Sequence, residues 1–308
     1  GHMSSILNSI ASMRSPLDTS YDLSTSPPMA IITIFRDSPD GSRQIQKDNF
    51  LNIMPKLFIN STIFVIEQNQ GDLFNIGKLK NIGFDMARKH ETKHGIKFSH
   101  YIFTDIDAIP DTNLTKYYKT KPDTPVALAI EGTRYHSRKK KGKALLNKGE
   151  KPFLGAACAF TAEQFEKING YSNAFYGWGG EDTNLALRIQ ESGMKIGYPE
   201  KGAILDLEEI DQQMVSLEEK VKVQLKDKKD NLAYEKMVVV PDNGVSTLKY
   251  TIIKRTVSKK NLVHIVVDLD RNQEEKEYPH WFPQKFSDKE LEEYKTRMKN
   301  TTWKIQVV

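Results

Sequence analysis

Apolar residues fall along this chain in two rhythms. Short unbroken runs at Met29–Phe35 (MAIITIF), 62–66 (TIFVI), 101–104 (YIFT) and 126–130 (VALAI) predict strands covered on both faces. Between them lie stretches with helical spacing. Residues 44–57 carry Ile45, Phe50, Ile53, Met54 and Leu57, with a break expected near Pro55, and residues 76–90 carry Leu79, Ile82, Gly83 and Met86. Further on, 154–160 is another apolar segment, and Thr161 with Gln164 forms a capping box for a short helix ending at Gly170. Gly179 and Gly180 precede a helix running from Glu181 to about Glu191. Residues 208–230 read as a charged surface helix, and 250–256 with 262–268 as two antiparallel strands. Alternating strands and helices predict an α/β fold with a mostly parallel, doubly wound, twisted sheet. In such sheets ligands bind outside the carboxyl ends of the strands.

The ends differ from this middle. Residues 1–28 are rich in Ser, Thr and Pro and predict a disordered or loosely docked tail. From Arg271 the chain is charged, with Trp281 and Trp303 as candidate docking anchors. The expected layout is a tail (1–28), one α/β domain (29–270) and a C-terminal extension (271–308). The formal charge of +5 comes from one place: 134–151 holds eight basic residues against Glu150, leaving the remainder at −2. That run predicts a solvated loop able to attract phosphates, and no recognition motif accompanies it to suggest nucleic acid. No apolar run reaches the ~18–20 residues needed to span a membrane. The single cysteine, Cys158, rules out an internal disulfide and points to a reducing, cytoplasmic setting.

Two clusters carry candidate chemistry. Asp105-Ile106-Asp107 follows an apolar strand, where two carboxylates can approach one hard cation such as Mg²⁺ or Mn²⁺. Residues 175–182 (FYGWGGED) combine glycines that permit tight turns, two aromatics suited to sugar rings, and an acidic pair opening a helix, where the dipole favours carboxylates. Read alone, each cluster is equally a turn or a cap.

Seven segments, in order over about 225 residues, resemble the β-1,4-galactosyltransferase family of inverting GT-A enzymes. They are IFRD (34–37), FVIEQ (64–68), FN with GKLKNIGF (74–75, 77–84), DID with IP (105–110), Phe165 with ING (168–170), GWGGED (177–182) and NGVSTLKY (243–250). The resemblance implies a UDP-sugar donor, Mn²⁺ (or Mg²⁺) and a carbohydrate or glycoconjugate acceptor. It places Phe35, Arg36 and Asp37 on the uridine side, with Phe74 opposite. Asp105 would contact the donor ribose or sugar and Asp107 the metal. Trp178 and Gly179 would shape the sugar site, with Phe153 near a position that selects the donor sugar. Tyr176, Gly180 and Glu181 would face the acceptor, and Asp182 would be the base.

The pattern also departs from the family. Where a metal-binding histidine is expected, 203–209 (AILDLEE) offers Asp206 and Glu208 instead. Ile76 stands in place of an arginine, Thr183 in place of a third acidic residue, and the family's disulfides are absent. Two other readings remain at this point: a non-catalytic nucleotide-sugar or carbohydrate-binding module with the same fold, and a Mg²⁺-dependent phosphodiesterase.

Overall fold

A computed structural model describes residues 27–129, 152–177, 179–206, 239–258, 261–282 and 286–308. The expectations for the tail before residue 27, the basic loop 134–151, Trp178, Glu208 and the helix at 208–230 lie outside the described residues.

The strands are β1 (Met29–Phe35), β2 (Ser61–Gln68), β3 (Tyr101–Thr104), β4 (Ala108–Pro110), β5 (Val126–Ala127), β6 (Ala157–Phe160), β7 (Ile196–Tyr198), β8 (Ile204–Asp206), β9 (Thr251–Ser258), β10 (Leu262–Asp268) and β11 (Ile305–Val307). The helices are α1 (Ser42–Leu57), α2 (Ile76–His94), α3 (Thr112–Lys119), α4 (Ala162–Lys167), α5 (Glu181–Glu191), α6 (Arg271–Glu277) and α7 (Asp288–Lys299). Nine strands form one sheet in the order β11-β7-β5-β6-β3-β1-β2-β10-β9. Five of its eight neighbour pairings are parallel, and β3–β6, β5–β6 and β9–β10 are antiparallel.

The continuous apolar runs end up in the middle, as two-sided burial requires. All seven residues of β1 are buried. Ala30, Ile32 and Ile34 face one core, shared with α2 and α5, while Met29, Ile31 and Phe35 face the other, shared with α1 and α3. On α2 the chain is buried without interruption from Gly77 to Phe84. At Gly83 it comes so close to β1 that a Cβ would lie 2.2 Å from Ile32 Cγ2, so only glycine fits. Asn75 caps this helix by accepting from Lys78 N–H at 2.9 Å, and Gly95 ends it in the left-handed region at φ 62°.

The predicted capping box is present: Gln164 N–H donates to Thr161 Oγ1 (3.2 Å) and Thr161 N–H to Gln164 Oε1 (2.9 Å). The expected break near Pro55 does not occur. Pro55 sits in the last turn of α1, and the helix continues through it to Leu57. The charged segment after Arg271 holds two helices and a strand that periodicity alone did not suggest. Both its tryptophans dock, Trp281 fully and Trp303 nearly so, and β11 extends the sheet beside β7.

Candidate active site

Three adjacent parallel strands deliver their carboxyl ends to one edge. The register aligns Phe35 with Glu67 and Thr33 with Thr104, so Arg36-Asp37, residues 68–74 and Asp105–Asp107 emerge side by side. Arg36 donates to the Asp72 carbonyl at 2.5 Å and lies 5.4 Å from the Phe74 ring, and burial lowers its pKa. Phe35 is buried beneath Lys47, whose ammonium is 4.5 Å from the ring, and Asp37 accepts from Gln44 N–H at the start of α1. A polar cavity of about 460 Å³ opens beside the Arg36 partners, lined by residues 68–72 and 268–273.

The acidic strand end is made by a turn. Thr104 ends β3, and the chain turns through Asp105–Asp107 into β4. β4 pairs with β8 so that Ala108 lies opposite Asp206, which brings the backbone of that candidate ligand beside the Asp-x-Asp. Each of the two carboxylates meets a different cation. Arg43 Nη1 of α1 is 3.7 Å from Asp107 Oδ2, and Lys80 Nζ of α2 is 3.7 Å from Asp105 Oδ1. Among the described residues no three His, Cys, Asp or Glu side chains converge as a metal cage. Two carboxylates do fit a hard divalent cation of the kind that completes its shell with substrate phosphate oxygens.

The second cluster reaches the first through residues 153–156. Asp105 N–H donates to Ala156 O at 2.8 Å, and Ala156 holds a left-handed φ of 62°, a strained conformation for a residue with a Cβ. Beside it, a Cβ on Gly155 would meet the Phe153 ring at 2.7 Å and Asp182 Oδ2 at 3.0 Å. The tight turn at 155–156 therefore touches Asp105 on one side and Asp182 on the other. Cys158 lies beneath: burial pushes its thiol up to about 11, and it senses Lys80, Asp105 and Asp182 together.

The turn that carries Asp182 is held from below. Gly177 N–H donates to Phe74 O at 2.9 Å, joining it to the Arg36 side. Gly177, Gly179 and Gly180 all have φ near +100° (96°, 93° and 103°), and Gly180 opens α5. Glu181 is buried, and its Cβ would lie 3.4 Å from a Cβ placed on Gly77 of α2. The half-buried Asp182 accepts from Thr183 N–H at 2.9 Å. A buried amide network fixes the preceding chain. Asn81 donates to Tyr171 O and Asn173 Oδ1, Asn75 to Asn173 O, and Asn173 to Gly244 O. Arg188 of α5 adds donors to the carbonyls of Ile168, Asn169, Gly170 and Asn243. Tyr176 differs from the expected platform for a sugar: it is 5% exposed, under the Arg271 guanidinium at 4.1 Å and stacked on Phe282.

Sequence profiles described as "N-terminal region of glycosyl transferase group 7" and "N-terminal domain of galactosyltransferase" match residues 20–120 and 144–212. The chain belongs to the β-1,4-galactosyltransferase family. Human β-1,4-galactosyltransferase 4 is 34% identical over 137 residues, which is 44% of this chain and 35% of that protein. Mouse β-1,4-galactosyltransferase 5 is 33% identical over 172 residues, 56% and 40% of the two chains. The matched stretch thus spans well under half the length of these curated relatives. Among solved structures, a Drosophila β-1,4-galactosyltransferase 7 mutant in complex with manganese, UDP-Gal and xylobiose superposes with a TM-score of 0.55. It is 20% identical, and the match covers 79% of this chain and 94% of that one, which establishes the GT-A fold. Among the described residues no helix is long and apolar enough to cross a membrane.

Sequence reasoning missed Lys80, Arg43 and the 155–156 turn. Lys80 had a readable signal: Ile76 and Phe84, four positions before and after it on α2, are both apolar, so a lysine there interrupts a buried stripe. Arg43 and Ala156 carry no comparable mark.

Proposed function

We propose that this chain is an inverting, metal-dependent glycosyltransferase that moves galactose, or a related hexose, from a UDP-sugar to a hydroxyl of an acceptor sugar. The turn 155–156, which bonds the Asp105 backbone on one side and borders the Asp182 carboxylate on the other, carries this reading, because it brings the strand end that bears the donor-side carboxylate next to a candidate base. Family membership supports it, and a relative solved with manganese, UDP-Gal and xylobiose supports the classes of metal, donor and acceptor.

In this scheme Phe35, Arg36 and Asp37 border the uridine, with Phe74 opposite. Asp105 contacts the ribose or the sugar, and Phe153, Trp178 and Gly179 shape the sugar pocket. Gly180 and Glu181 hold the acceptor, while the buried Tyr176 keeps the turn in place. Asp107, with Asp206 or Glu208, would hold Mn²⁺ or Mg²⁺, which when bound neutralises charge gathering on the leaving diphosphate. Asp182 takes the proton from the acceptor hydroxyl as that oxygen bonds to the anomeric carbon. On the opposite side the bond from that carbon to the diphosphate oxygen breaks, and its electron pair leaves with UDP. A single in-line displacement inverts the anomeric centre.

The test is UDP release from a panel of UDP-sugars with simple sugars as acceptors, in Mn²⁺, Mg²⁺ or EDTA. Metal-dependent release from one donor is expected, and Asp182→Asn should lower turnover ~10²–10⁴-fold while leaving UDP binding intact. Metal-dependent UDP binding without turnover on any acceptor would favour the binding module. Absence of UDP binding would overturn the reading.

A further inference from the structure

We propose that Lys80 is a positioning residue that biases the acidic strand end toward a metal–nucleoside diphosphate complex and away from free metal. The inference rests on the nucleotide-sugar reading above. Its basis is a contrast between the two cations at the Asp-x-Asp. The Arg43 side chain is 31% exposed and also donates to Gln46 within its own helix. Lys80 is far more deeply enclosed. Its side chain is 4% exposed, enclosed within α2's buried stretch, with the ammonium 5.5 Å from the Tyr171 ring and 3.7 Å from Asp105.

A fixed ammonium at this place acts on two ligands with opposite sign. It repels a divalent cation approaching Asp105 and Asp107 alone, and unit charges this close interact strongly where water is thin. It attracts a diphosphate, whose oxygens bring negative charge to the same spot. The result is a site that takes its cation together with the nucleotide. Asp105 is 37% exposed at its side chain, so it faces both the enclosed lysine and the open site.

A merely structural lysine would weaken both ligands on removal, whereas this role predicts opposite changes. The experiment measures two affinities in wild type, Lys80→Met and Lys80→Arg: nucleotide-free Mn²⁺ by electron paramagnetic resonance, and UDP in saturating Mn²⁺ by calorimetry. Lys80→Met is expected to bind free Mn²⁺ about tenfold tighter and UDP about tenfold more weakly, with Lys80→Arg close to wild type in both. Should the Met variant fail to fold, Lys80→Gln keeps a polar head in the same space and reads the same two quantities. Affinities that move together, or that both stay within about twofold of wild type, overturn the role given to Lys80. Wild type that binds no UDP would instead remove the nucleotide-sugar reading itself.

Discussion

Lys78 and Lys80 lie two positions apart on α2, about 200° around the helix from each other, and both are almost wholly enclosed (0% and 3% exposed). Their surroundings differ. Lys78 Nζ is 2.6 Å from Glu274 Oε2 of α6 and also donates to Leu269 O, so every contact points into packed protein. Lys80 faces a carboxylate that opens onto the strand-end crevice. One helix therefore carries two buried charges with separate purposes. Lys78 ties the C-terminal extension to the sheet, and Lys80 serves the site. Burial costs Lys78 and Glu274 alike: it pushes the lysine's pKa down and the glutamate's up, despite their mutual attraction. A pair held on those terms fixes where α6 docks more than it adds stability.

The largest effect expected from separating the two roles is on stability. Lys78→Met strands Glu274 in the interior and should lower unfolding free energy by about 3–5 kcal/mol, read from the urea midpoint. Adding Glu274→Leu should recover most of that loss, since two apolar side chains need no partner. If Lys78→Met alone is harmless, the extension is not anchored by this pair.

Next comes the spacing of the helix that bears both lysines. Gly83→Ala forces a Cβ to within 2.2 Å of Ile32 Cγ2, and a cost of about 1–3 kcal/mol is expected. Because α2 would move with Lys80 on it, UDP affinity should fall as well. An unchanged affinity would show that the site tolerates a displaced helix.

A titration away from both lysines gives a smaller effect. His100 is fully buried, with Nε2 against Tyr118 O and Nδ1 against Ser99 Oγ, and burial lowers its pKa. The folded protein then binds fewer protons than the unfolded chain once the pH drops below the unfolded value of about 6.5. Stability is complete above that pH and is lost as the pH falls toward the folded-state pKa. The urea midpoint should decline from pH 7 to 5, and His100→Gln should flatten the curve, leaving the smaller share of His90, whose pKa is also lowered by burial. The least change is expected from Lys80→Met in the same unfolding assay, within about 1 kcal/mol, because its partner remains in contact with water. A loss as large as that of Lys78→Met would erase the distinction between them.

Much of the frame was legible in the chain. β1, β3, β10, α5 and the capping box at Thr161 follow from unbroken apolar runs, an acidic first turn and a Thr-x-x-Gln spacing, all local signals. The short strands β4, β7, β8 and β11 were not legible, because three residues carry too little periodicity to announce a strand and form one only when a neighbour supplies the ladder. The helices of the extension were hidden in a charged composition whose few apolar anchors, Trp281 and Trp303, have meaning only against the surface they cover. For the site, Asp105, Asp107, Glu181 and Asp182 stood out as acidic pairs beside glycine or a strand end. What joins them did not: the left-handed Ala156 and the clearance at Gly155 are conditions of backbone shape, which residue type barely encodes.

By itself, then, the sequence determined the longer strands of the central sheet, the family, and the acidic pairs that make up the candidate site, because burial and helix capping act over a few residues. Tertiary structure alone decided that Tyr176 packs inward under Arg271, that Lys78 binds the extension, and that Lys80 turns toward Asp105. Two lysines in one helix look alike in a sequence. Only the elements packed on either side of α2 determine which charge is sealed in and which is left facing a ligand.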